Sequence, residues 1–201
     1  MKKVMLGLGT ALVALSMGLP AMAATTSRYQ VKGENAYADF YQSDECNYTG
    51  VSVFAADSVT KTSGAPTTQK EAYLSYWKYN FCTGVSSGGY GSSNNFTSTL
   101  NKQLDTANLT GTFTLTDYST GTTKNADVNI NWTGTGDISR GNSHYHYQGA
   151  GYSSNYRSIG SYRQANVSGS VTVDGTNIVT GLNGYGGLNS STSASLEIIR
   201  R

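Results

Sequence analysis

Proline is almost missing from this chain: the two in 201 residues, Pro20 and Pro66, exclude a proline-rich stalk or linker. Charge is scarce too, at 13% of residues. Lys2 and Lys3 account for the formal net charge of +2, so residues 24–201 are formally neutral. That argues against nucleic acid as a partner, because such binding rests on neutralising phosphates with Lys and Arg. The Glu, Lys and Ala that helical domains favour are sparse. No regular repeat is present, which disfavours solenoids and propellers.

The longest apolar run comes first. Met1-Lys2-Lys3, an apolar stretch from Val4 to Leu19 and then Pro20-Ala21-Met22-Ala23 form a basic start, an apolar core and an Ala-x-Ala site. This pattern predicts a secretory signal peptide over residues 1–23, followed by a single domain over residues 24–201. The run is short, interrupted by glycine and followed by small residues, so no membrane span is expected after cleavage. The expected location is secreted or periplasmic, with a bacterial type of leader. Such compartments permit disulfides.

Gly, Ser, Thr, Asn and Tyr fill the space left by charge, with 24 glycines and 15 tyrosines. The densest aromatic run, Ala72 to Cys82, alternates as a strand does, with Tyr73, Trp77, Tyr79 and Phe81 on one face. Upstream, Cys46 to Ala56 is a second strand, and Ser63-Gly64-Ala65-Pro66 supplies a turn between them. Setting Cys46 opposite Cys82 places Val51 against Trp77 and Val53 against Ser75, joining two apolar faces. A Cys46–Cys82 disulfide across a long hairpin is therefore expected, with Trp77 in the core.

Other strands follow from the same alternation. Arg28–Val31 and Ala36–Tyr41 read as strands parted by Lys32-Gly33-Glu34-Asn35, and Thr83–Asn95 reads as a glycine-rich loop. Phe96–Leu104 is read as a strand. Leu109–Asp117 and Asp127–Thr133 form a hairpin around a two-residue Gly121-Thr122 turn, which sets Leu115 on Val128, Phe113 on Ile130 and Trp132 over Gly111. Val167–Val173 continues through an Asp174-Gly175 type I′ turn, pairing Val171 with Ile178 and Val167 with Leu182. Ser193–Ile199 is a final strand. About ten antiparallel strands and no helix predict an all-β fold, a β-sandwich, with a closed β-barrel as the alternative.

Functional residues are less sharply marked. His144 and His146 are two apart, a spacing that on a strand turns both imidazoles to one side. The pair suits a transition metal if a third ligand comes from elsewhere; otherwise both histidines face solvent. Around them, Arg140–Arg163 gathers Tyr145, Tyr147, Tyr152, Tyr156 and Arg157, residue types common at recognition surfaces. Interspersed glycines predict a loop-rich rim carrying these tyrosines toward a carbohydrate or other cell-surface ligand. The competing reading makes them half-buried sheet residues. No catalytic serine is expected, since both histidines lie outside a nucleophile context, and no carboxylate pair stands out. The reading is thus a non-enzymatic, extracellular ligand-binding protein. A self-associating structural or matrix protein is the alternative, and a metal-dependent activity at His144 and His146 is the second.

Overall fold

The computed structural model describes residues 24–62 and 64–199, so the predicted signal peptide lies outside the described residues. Ten strands account for most of these residues, and among them there is no helix. They are β1 (Thr25–Ser43), β2 (Asn47–Lys61), β3 (Thr67–Asn80), β4 (Ser86–Ser92), β5 (Asn95–Leu100), β6 (Thr106–Asp117), β7 (Thr123–Gly149), β8 (Tyr152–Val173), β9 (Thr176–Asn177) and β10 (Asn183–Ile199). All pair antiparallel within one sheet, in the order β10-β1-β2-β3-β4-β6-β7-β8-β9, with β5 beside β6. A further pairing of β8 with β10 brings the path back to its start. The expected burial of apolar faces against one another is realised inside this single continuous sheet.

In the core-forming parts of the strands, alternate residues enter one buried cluster. Ala36 and Ala38 of β1, Val51 and Val53 of β2, Leu74 of β3, Leu109 and Phe113 of β6, Ile130 and Trp132 of β7, Val171 of β8 and Leu188 of β10 all belong to it. Small and β-branched side chains dominate because an enclosed interior cannot hold a row of large aromatics. Phe40, Tyr76, Phe113 and Trp132 are the aromatics admitted, and the indole of Trp132 fits because Gly186 on β10 leaves room for it.

That crowding corrects the β2–β3 register. The disulfide forms as expected, with Cys46 and Cys82 Cα atoms 5.2 Å apart. The ladder is shifted by one residue, however: Val51 pairs with Tyr76 and Val53 with Leu74. Cys46 lies opposite Phe81, whose N–H donates to its carbonyl, while Cys82 sits in the following turn and reaches across diagonally. A one-residue slip exchanges the faces. Ala72, Leu74 and Tyr76 are therefore inside, and Trp77, placed in the core by the sequence reading, is 45% exposed.

The β6–β7 pairing differs by an even step, so its faces survive. Leu109 pairs with Ile130, Gly111 with Val128 and Trp132 with Ala107. The expected two-residue turn is instead a wider one, closed by Asp117 N–H on Thr122 O at 2.8 Å. The Asp117 carboxylate accepts from the N–H groups of Ser119 and Thr120 and from the Ser119 hydroxyl, at 2.9, 3.0 and 2.6 Å. An Asp bonded to the backbone two and three residues on is a turn former in its own right.

Further differences follow from long-range pairing. Residues 32–35 do not interrupt β1, since both neighbours pair with them throughout. Part of the supposed glycine-rich loop is β4, where glycine permits a close crossing: a Cβ on Gly91 would lie 2.0 Å from the Thr114 carbonyl oxygen. The strand at Phe96 ends at Leu100, and Leu104 turns into the core from a left-handed conformation with φ of 59°. The Asp174-Gly175 turn forms with both φ angles positive, and Ile178 N–H reaches Val171 O as expected. β9 stops at Asn177, so the expected pairing of Val167 with Leu182 does not form.

One junction separates the packed core from what lies beyond it. Between Thr135 and Ser139 the β7–β8 register shifts, placing Gly136, Asp137 and Ile138 opposite Arg163 alone. Arg163 is anchored there by its Nε donating to the Gly136 carbonyl at 3.1 Å and by an ion pair with Asp105. Past this bulge, β7, β8, β10, β1 and β2 run on together as an extension beyond the core.

Candidate functional site

The extension carries every candidate ligand-binding residue named from the sequence. Tyr145, Tyr147, Tyr152 and Tyr156, expected in a loop-rich rim, stand on paired strands joined by a two-residue Ala150-Gly151 turn. Tyr145 pairs with Tyr156, and the Tyr147 and Tyr152 rings lie 6.0 Å apart. Glycine did not signal loops here, because Gly141 and Gly160 are a cross-strand pair within the ladder.

Alternation divides these residues between two faces. Leu188, Ala165 and Ala36 point to the core, so the intervening Gly187, Tyr162 and Tyr37 face outward. The Tyr37 and Tyr162 rings meet over Gly187, where a Cβ would come within 2.6 Å of both, and their hydroxyls share a hydrogen bond of 3.2 Å. Aromatic cover of a strand glycine is a known device for pinning register. Tyr145, Tyr147, Tyr152 and Tyr156 share this outer face by parity. Arg157, His144 and His146 do not: they occupy the opposite side, so the sequence-derived set is split in two.

Between the tyrosines the outer face is low and polar. Ser139, Tyr162, Asn189 and Asn35 form one cross-strand row, followed by Gly141, Gly160 and Ser191, then Ser143 and Ser158. Together they floor a trough of about 670 Å³. Asn189 Nδ2 donates to Asn35 Oδ1 at 3.0 Å, fixing both amides. Tyr37 and Tyr162 border one end. The row Tyr145, Tyr156 and Tyr29 borders the other, with those rings 60%, 39% and 46% exposed. Six residues along β8 separate Tyr162 from Tyr156, a span of about 20 Å at the rise of an extended strand.

The lining contains no carboxylate, imidazole or thiol. It offers hydroxyls and amides, each able to donate and accept, beside apolar ring faces. Hydrogen bonding to Tyr162 is the main cause that pushes the Tyr37 hydroxyl up to about 12, so that hydroxyl is neutral near pH 7. Asn35, Asn189, Ser191, Tyr29 and Tyr37 were not singled out in the sequence. They reach the trough only through the β8–β10–β1 register, which has no local signature.

The histidines do share a face, as their spacing implied. His144 Nε2 lies 3.1 Å from Asn155 Oδ1, and no group of three His, Cys, Asp or Glu side chains positioned for a metal occurs among the described residues. Gly84-Val85-Ser86-Ser87-Gly88 has the spacing of a nucleophile elbow, but Ser86 opens strand β4 and no helix follows. The chemistry of a sharp strand-to-helix turn is therefore missing at that serine.

No family model matches the chain, and no curated protein matches it. Among solved structures, a protein assigned as an AttH from Nitrosomonas europaea aligns at 11% identity with a TM-score of 0.25. The alignment covers 85% of this chain and 52% of that one. A likeness this slight carries no argument about fold or function.

Proposed function

We propose that this is an exported, non-enzymatic protein that binds carbohydrate in the outer-face trough. The observation that carries the reading is the combination of a Gly/Ser/Asn floor with exposed tyrosines at both ends. Sugars have alternating needs: their C–H faces pack on aromatic rings, and their hydroxyls need partners that both donate and accept. A floor of short side chains lets a flat ring approach the sheet. Lack of charge in the lining favours a neutral saccharide. The leader-like pattern of residues 1–23 and the Cys46–Cys82 disulfide support export, and no helix among the described residues is long and apolar enough to cross a membrane.

The test is a glycan array followed by titration of the best ligand against the purified chain. Tyr156→Ala and Ser191→Val are expected to weaken binding by about tenfold, the scale of one lost stacking or hydrogen-bonding partner. Binding that survives both substitutions would move the site elsewhere. No glycan binding, together with concentration-dependent light scattering, would favour the self-associating structural role.

A further inference from the structure

Behind the trough, on the face continuous with the core, the same strands assemble a site of different chemistry. Two adjacent cross-strand rows run Lys61, Gln30, Ala194, Arg157, His144 and Arg28, Leu196, Asn155, His146. A cavity of about 490 Å³ lies against them, within the range typical of small-molecule sites. Arg28, Lys61 and Arg157 border it, while Ala194 and Leu196 lie on the β10 segment between Arg28 and Arg157.

Ion pairing is partial in this protein: among the described residues Lys32, Lys78, Lys102 and Arg140 have no carboxylate partner. Lys70, Lys124 and Arg163 each pair with an aspartate. Arg28, Lys61 and Arg157 have no such partner among the described residues, and no carboxylate lines the cavity. Glu197, the acid nearest to them on β10, falls on the outer face by parity. What sets Arg28, Lys61 and Arg157 apart from the other unpaired cations is that all three border one cavity.

We propose that this cavity binds an anionic amphiphile, with a phosphate head held by Arg28, Lys61 and Arg157 and a hydrocarbon segment on Ala194 and Leu196. Guanidinium and ammonium groups bind phosphate through charge-assisted hydrogen bonds. The aliphatic floor gains most from a hydrocarbon ligand part, since apolar surface of both protein and ligand then leaves water. The arrangement therefore selects a ligand with both characters.

The test is calorimetric titration of the purified chain with dodecyl phosphate below its micelle concentration, beside dodecyl maltoside and inorganic phosphate. Saturable binding of dodecyl phosphate is expected, with both comparison ligands at least about tenfold weaker. Arg157→Gln and Lys61→Gln, on different strands and both exposed, are each expected to weaken it by about five- to tenfold. Tyr156→Ala, on the opposite face, is expected to leave it unchanged, which separates this site from the carbohydrate trough. Unchanged circular dichroism and melting temperature establish that a variant is folded. Equal affinity for the neutral amphiphile, indifference to both charge substitutions, or lack of saturable binding by the folded wild-type chain would each overturn the proposal.

Discussion

The indole Nε1–H of Trp132 on β7 donates to the main-chain carbonyl of Tyr37 on β1 at 2.7 Å. This bond crosses β8 and β10, the two strands that lie between them in the ring. It passes beside Gly186, where a Cβ would stand 2.5 Å from the Tyr37 oxygen and 3.1 Å from the indole. Gly186→Ala is therefore expected to cost about 1–3 kcal/mol by overpacking. Trp132→Ala should cost about 3–5 kcal/mol through the cavity and the lost bond. Trp77→Ala, an outer-face change against Tyr118, should cost no more than about 1 kcal/mol. Denaturant unfolding of the three variants checks the ordering, and a Trp77 variant as damaging as the Trp132 one would contradict the observed β2–β3 register.

Those two tryptophans show what alternation can and cannot determine. It gave the strand class, the disulfide and the placement of Trp132, Phe113 and Ile130 inside, because period-two patterning is local. For Trp77 it selected the wrong face, because the choice depended on interior volume, which is a property of the closed ring. The odd face is more aromatic, yet the smaller Ala72 and Leu74 are what the interior admits. Likewise, the clustering of the tyrosines of the 140–163 segment was legible, and Tyr145, Tyr147, Tyr152 and Tyr156 share one face of the sheet. The polar floor between them was not legible, because Asn35 and Asn189 are separated by most of the chain and meet only through β1–β10 pairing. Arg157 was grouped with tyrosines that face the other way, an error that assigning the segment to strands removes.

The disulfide closes the β2–β3 hairpin, whose ladder already pairs Asn47 with Asn80. Its contribution on the chain-entropy model is roughly 3–4 kcal/mol for a loop of this size. The Cys46→Ala, Cys82→Ala double variant should lose about that much in urea unfolding. Its circular dichroism should remain that of the native sheet, since the core residues of both strands are untouched. Mass spectrometry of the unreduced wild-type chain should show neither thiol alkylated.

The Tyr37–Tyr162 contact predicts an alkaline limit to stability. Through its hydrogen bond with Tyr162, with burial adding a smaller effect, the Tyr37 hydroxyl holds its proton up to about 12, against about 10 when unfolded. A group whose folded value is raised adds stability that is complete below the unfolded value and is lost as pH climbs from about 10 to about 12. Tyr162→Phe removes the main cause, so Tyr37 should ionise closer to the ordinary tyrosine value and the alkaline decline should become shallower. Phenolate absorbance titration, run beside melting curves, reads both effects.

Asp117 sets the corresponding acid limit. Bonds from the Ser119 hydroxyl, the Ser119 N–H and the Thr120 N–H hold its carboxyl down at about 2. The folded value lies below the unfolded one, so the contribution is complete above about pH 4 and is lost as pH falls toward about 2. Asp117→Asn keeps a neutral oxygen acceptor for the same donors. It should retain most of the turn at neutral pH while flattening the acid dependence. Asp117→Ala leaves the Ser119 and Thr120 N–H groups without that partner, and should lower the melting temperature across the whole range. The comparison isolates charge from turn geometry. Parallel acid limbs for wild type and Asp117→Asn would show that another carboxylate governs acid unfolding.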